Sequence, residues 1–139
     1  MWNSEKKRIV IAGTAWPFRG GIAAYNQRLA QEYLRQGYEV IIYGFRLQYP
    51  SFLFPGKTQF STEPRPEEPE IRQKINSVNP LNWIKVGREI KRLQPDLLIV
   101  PFWIPFMGPC LGTIARIVKR NHTTRVVSVV HNMIPHERR

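Results

Sequence analysis

The stretch RIVIAGTAWPFRGGIAAYNQRLAQEYLRQGYEVIIYGF, running from Arg8 to Phe45, decides the fold. Its first part, Arg8–Gly13, is a continuous β-branched run that ends in glycine, the pattern of a strand buried on both faces in a parallel sheet. Thr14–Arg19 is then a loop. From Gly20 to Gln36 the apolar residues Ile22, Tyr25, Leu29, Tyr33 and Leu34 recur at helical spacing, and Gly37 supplies the C-terminal stop. Glu39–Phe45 follows almost at once as a second strand. A strand, a crossover helix and a second strand of this kind form a βαβ unit, which sets the class as α/β with an open parallel sheet.

Working outward, Arg46–Asn76 loses all periodicity. It holds five prolines between Pro50 and Pro69 and four of the ten acidic residues, so residues 46–76 read as a long Pro-rich loop within a single domain spanning 1–139. Order resumes at Asn79-Pro80, where Asn79 suits a helix cap and Pro80 the first helical position. This second helix runs to about Gln94, with Leu81, Ile84, Ile90 and Leu93 expected inward and Lys85, Arg88, Lys91 and Arg92 outward. A third strand begins at Leu97 and reaches Val100 or beyond, toward Trp103. Gly108–Asn121 is a third helix with Arg116, Lys119 and Arg120, and Arg125–His131 a fourth strand. Counted along the chain, these four strands are expected in the order 3-2-1-4, with Rossmann-like helices on both faces.

Leu97 to Ala115 carries no charge over a length close to the ~20 residues of a membrane-spanning helix. Pro101, Pro105 and Pro109 argue against one, because each removes a helical hydrogen bond and clashes with the preceding turn at about 3 kcal/mol. The Ile9–Gly13 run is too short for the apolar core of a signal peptide. Cys110 is the only cysteine, so a disulfide framework and a Cys-rich zinc site are both excluded, and a reducing, cytoplasmic compartment is expected.

Lys and Arg total 21 against 10 Asp and Glu, a formal charge of +11. Such a balance calls for an anionic partner without naming it. No zinc-finger, helix-turn-helix or RNA-recognition pattern is present, so nucleic acid is not the expected partner. The cations of the second and third helices, beside the apolar Phe102–Met107, suggest peripheral contact with an anionic membrane face, expected to be the inner one.

In an open α/β sheet the ligand sits beyond the carboxyl ends of the strands, where the strand order reverses. That rule selects Thr14–Gly21, Pro101–Pro109 and His131–Glu137. Gly20-Gly21 opens a helix whose free N–H groups and dipole favour an anion, or else simply permits a tight turn. The loop is neither GxGxxG nor a Walker P-loop. His131, Asn132, His136 and Glu137 crowd two imidazoles, an amide and a carboxylate into one strand-end loop. Their spacing is not that of a zinc site, and no metal or other cofactor is expected.

Three segments together resemble the N-terminal half of a retaining glycosyltransferase of the GT-B fold, in glycosyltransferase family 4. They are Ile9–Phe45, DLLIVPFWIPFMGPCLGTIAR (Asp96–Arg116) and VVSVVHNMIPHE (Val126–Glu137), and YPSFLFPGK (Tyr49–Lys57) extends the match. The resemblance implies two Rossmann-like domains across a cleft, the N-terminal one taking a glycan or lipid-linked acceptor and the C-terminal one a nucleoside-diphosphate sugar. It places Gly20 and Gly21 near the donor phosphates and His131 against the transferred sugar, with Asn132, His136 and Glu137 in the same motif. The Glu-x7-Glu signature of the family's donor domain has no counterpart in the 139 residues. A separate C-terminal donor domain or subunit is therefore expected, and the chain alone is expected to be inactive. The competing reading is a non-catalytic basic module that binds a membrane surface or a partner subunit.

Overall fold

The computed structural model describes residues 7–16, 21–47, 69–102 and 107–130. Strands β1 (Arg8–Ala12), β2 (Glu39–Leu47), β3 (Glu70–Asn76), β4 (Leu97–Phe102) and β5 (Arg125–Val130) alternate with helices α1 (Gly21–Arg35), α2 (Pro80–Leu93) and α3 (Gly108–Lys119). The strands form one sheet in the order β3-β2-β1-β4-β5, and every pairing is parallel. Helix α1 covers one face, over Ile9, Ile11, Val40, Ile42, Ile71 and Ile99. Helices α2 and α3 cover the other, over Val10, Tyr43, Phe45, Ile75, Leu98 and Val100. This is the Rossmann-like α/β sheet expected from the βαβ unit.

The local signals act as the sequence suggests. Helix α1 ends in a Schellman arrangement: Gly37 at φ 99° donates to the Leu34 carbonyl, and Tyr38 donates to that of Tyr33. The Asn79 side chain accepts from the backbone N–H groups of Leu81 and Asn82, with Pro80 opening α2.

Three expectations are corrected. Glu70–Asn76 is a strand, so the Pro-rich loop does not extend to Asn76; residues 48–68 lie outside the described residues. The strand was hidden because EIRQKIN sits at the sheet edge, where charged side chains are tolerated and apolar alternation is weak. Strand order changes with it: the position beyond β2 belongs to β3, and the Leu97 strand lies beside β1, pairing Ile9 with Leu97 and Ile11 with Ile99. Finally, Leu81 is 77% exposed and Ile84 is also exposed, whereas Val86, Gly87 and Ile90 form the buried stripe of α2. Ile90 and Leu93 are inward as expected, but Leu81 lies two and a half turns before Ile90 and so on the opposite side of the helix, which means that the four apolar residues cannot share one face. A Cβ on Gly87 would lie 3.0 Å from Ile117 Cβ, so the missing side chain is what lets the two helices approach. Among the described residues, no helix is long and apolar enough to cross a membrane.

Candidate functional site

The reversal point lies between β1 and β4. From this adjacent pair, α1 leads from β1 to β2 across one face, while α3 leads from β4 to β5 across the other, so the connections diverge and leave a crevice at the carboxyl ends. Gly13 stands at its floor. Its N–H donates to the Tyr43 carbonyl, and an added Cβ would come within 3.2 Å of both Asn26 Nδ2 and Pro101 Cδ. The end of β4 thus approaches β1 as closely as it does only because residue 13 has no side chain.

The loop that leaves β1 is held by two consecutive residues of α1. Asn26 Nδ2 donates to the Thr14 carbonyl at 2.9 Å, and Gln27 Oε1 accepts from the Trp16 N–H at 2.7 Å, so the backbone is fixed on both sides of the buried Ala15. Asn26 is fully buried, and its Oδ1 has no hydrogen-bond partner among the described residues. A buried acceptor without a donor is costly.

Two helices begin at this edge, α1 after β1 and α3 after β4, and neither has an acidic residue in its first turn. Met107 at the start of α3 makes no side-chain cap bond, and nothing lies within 4 Å of where a Gly108 Cβ would be. The positive ends of two helix dipoles lie at this edge, a setting that favours anions such as phosphate oxygens. The arrangement binds and orients. It supplies no nucleophile from Cys110, which is buried and whose thiol is pushed up to about 12 by that burial.

The titrating groups of the described residues cluster elsewhere, along β2, β3 and α2. The Tyr43 hydroxyl donates to Glu89 at 2.6 Å and accepts from Arg72 at 2.9 Å. Lys74 reaches Glu89 at 3.1 Å, and Arg72 reaches Glu70 at 2.6 Å. Burial, together with the bond to Glu89, holds the Tyr43 hydroxyl above its ordinary range. Burial alone would push Glu89 up, but the bonds from Tyr43 and Lys74 leave its carboxyl below the usual value.

Of the residues singled out in the sequence, Gly21 is the first residue of α1, and Pro101 and Phe102 end β4. Gly20, His131, Asn132, His136 and Glu137 lie outside the described residues, as do 103–106. Gly13, Asn26 and Gln27 were not anticipated. The signal for Asn26 was present: a polar residue interrupts the small buried stripe Ala23, Asn26, Ala30, while the larger Leu29, Tyr33 and Leu34 flank it. Tyr25, one of the apolar residues at helical spacing in α1, is exposed.

No curated protein matches the chain. The family model for Glycosyltransferase Family 4 matches residues 19–139, which takes in α1, every later strand and all three segments selected at the carboxyl edge from residue 19 onward. The chain belongs to glycosyltransferase family 4, and its role is that of a glycosyltransferase domain.

Proposed function

We propose that the chain is the acceptor-side domain of a two-domain GT-B glycosyltransferase that transfers a sugar from a nucleoside-diphosphate sugar to a glycan or lipid-linked acceptor with retention at the anomeric carbon. The supporting observation is the crevice between β1 and β4 in a family 4 chain, floored by Gly13 and faced by the N-termini of α1 and α3. Gly20 and Gly21 let the donor phosphates approach the start of α1. His131 contacts the transferred sugar, with Asn132, His136 and Glu137 beside it. Stabilising the departing diphosphate is the main catalytic contribution, and it falls chiefly to the donor domain. No cofactor is required. The 139-residue chain by itself therefore performs neither transfer nor donor hydrolysis.

Two measurements test this reading. Purified 139-residue chain is assayed for donor hydrolysis and transfer; turnover by the chain alone would refute the two-domain scheme. In enzyme reconstituted with its donor domain, His131→Ala is expected to lower turnover at least 100-fold with little change in thermal stability. Near-normal turnover with a large stability loss would make His131 a packing residue instead.

The second reading, peripheral contact with the inner, cytoplasmic membrane face, is favoured by the exposed Leu81 and Ile84 beside Lys85, Arg88 and Arg92. Cations near an anionic leaflet add about 1 kcal/mol each and are screened by salt. Co-sedimentation with vesicles that is indifferent to anionic lipid and to salt would dispose of it.

A further inference from the structure

Helices α2 and α3 run side by side, and the groove between them has a volume of about 420 Å³. Its walls are cationic: Arg88 and Lys91 from α2, and Arg116 and Arg120 from α3. None of the four makes an ion pair with a carboxylate among the described residues. The acidic groups nearby are engaged elsewhere, Glu89 with Lys74 and Tyr43, and Asp96 with the Arg8 backbone N–H. Thr113 adds a hydroxyl to the wall and Ile117 an apolar one.

The closeness of these charges is built into the packing. Gly87 and Ile117 are the point where the helices touch, and Arg88 and Arg116 are their chain neighbours. Glycine in a helix interior is unfavourable, yet here it brings two guanidinium groups to one groove. Arg88 and Lys91 are also three residues apart on one helix, and Arg116 and Arg120 four apart at the end of the other, spacings at which like charges repel. Repulsion on each helix is thus added to repulsion between them, with no acid in the groove to relieve it.

We infer that the groove between α2 and α3 binds a phosphate or diphosphate group, whether carried by a soluble molecule or by a lipid headgroup. Guanidinium groups from two helices offer paired donors that match phosphate oxygens, and the ammonium of Lys91 adds a point charge. The volume lies within the range of small-ligand sites. This site is on the helical face of the sheet, apart from the carboxyl-edge crevice, and does not rest on the glycosyl-transfer proposal.

The test is calorimetric titration of the full 139-residue chain with inorganic diphosphate at fixed ionic strength. One saturable site is expected, weakened at least tenfold by Arg88→Gln with Arg116→Gln. Lys85→Gln with Arg92→Gln removes the same charge outside this groove and should weaken binding less than threefold. A second groove variant, Lys91→Gln with Arg120→Gln, should again weaken it tenfold, with circular dichroism confirming the fold of all three. Equal losses from groove and control variants would reduce the effect to net charge and overturn the inference, as would the absence of a saturable site. A parallel arm uses phosphatidylglycerol and phosphatidylcholine vesicles. If phosphatidylglycerol binding is displaced by diphosphate, the source is a lipid headgroup; if vesicles do not bind or are not displaced, the groove takes a soluble phosphate.

Discussion

Helix α2 meets cations on two flanks, those of β3 on one and those it shares with α3 on the other, and the two flanks behave in opposite ways. On the flank facing β3, cations are neutralised: Lys74 and Arg72 converge on Glu89, Arg72 also holds Glu70, and the Tyr43 hydroxyl joins the group from the core. On the flank facing α3, Arg88 and Lys91 line one groove with Arg116 and Arg120, and no carboxylate of the described residues lines it. One flank spends its charge on joining an edge strand to a helix. The other holds cations that form no ion pair among the described residues, which is the basis of the phosphate site proposed above. The formal charge of +11 is therefore unevenly placed, and its local form is more informative than its size.

The largest expected effect breaks the neutralised flank. Glu89→Ala removes the acceptor of both the Tyr43 hydroxyl and Lys74, and should lower stability by about 2 kcal/mol, the scale of hydrogen bonds to a charged group. Because the Glu89 carboxyl is held below its ordinary value in the folded chain, its contribution is complete above the unfolded carboxylate range and disappears as pH falls through the lower folded value. Chemical denaturation of wild type and variant between pH 7 and pH 3 should show the gap closing at the acid end. A gap that stayed constant would mean that lost packing, and not charge, sets the cost.

Gly87→Ala probes the seam between the two flanks. The new methyl would meet Ile117 Cβ at 3.0 Å and Cδ1 at 3.1 Å, so overpacking of about 1–3 kcal/mol opposes a helix-propensity gain of about 1 kcal/mol. A net loss of about 1 kcal/mol in Tm-based stability is expected; a gain would show that α2 and α3 separate freely. Tyr43→Phe keeps the buried ring and deletes only the hydroxyl that bridges Arg72 and Glu89. It should cost about 1 kcal/mol in a denaturant titration, less than Glu89→Ala because Lys74 still reaches the carboxylate.

The smallest effect has the opposite sign. Arg88→Gln relieves repulsion on the unneutralised flank and should stabilise the chain by a few tenths of a kcal/mol, about the size of a like-charge helical pair. The gain should shrink in 0.5 M salt, where such repulsion is already screened. Destabilisation instead would make Arg88 a structural residue and erase the contrast between the flanks.

The sequence by itself determined the elements with strong local signals. The β-branched runs of β1 and β2, the amphipathic stretch of α1 with its Gly37 stop, and the Asn79-Pro80 start of α2 are legible because each depends on residues within one or two turns. The reversal of connections at the carboxyl edge, where a site is proposed, was legible too, since it follows from the βαβ unit. Only the tertiary structure decided what depends on partners distant in the chain. EIRQKIN at Glu70–Asn76 is a strand because β2 offers it a parallel edge, and its own alternation is too polar to announce that. Leu81 and Ile84 face outward because α2 turns Val86, Gly87 and Ile90 toward the core and α3, and the helical period puts Leu81 on the side opposite Ile90. Gly13 is crowded because Asn26 and Pro101 close on it from other elements, and the Asn26–Gln27 hold on the loop depends on how α1 lies over the sheet. Local propensity is written in neighbouring residues, whereas rotation, register and close approach are settled by packing between elements that meet only after the chain has folded.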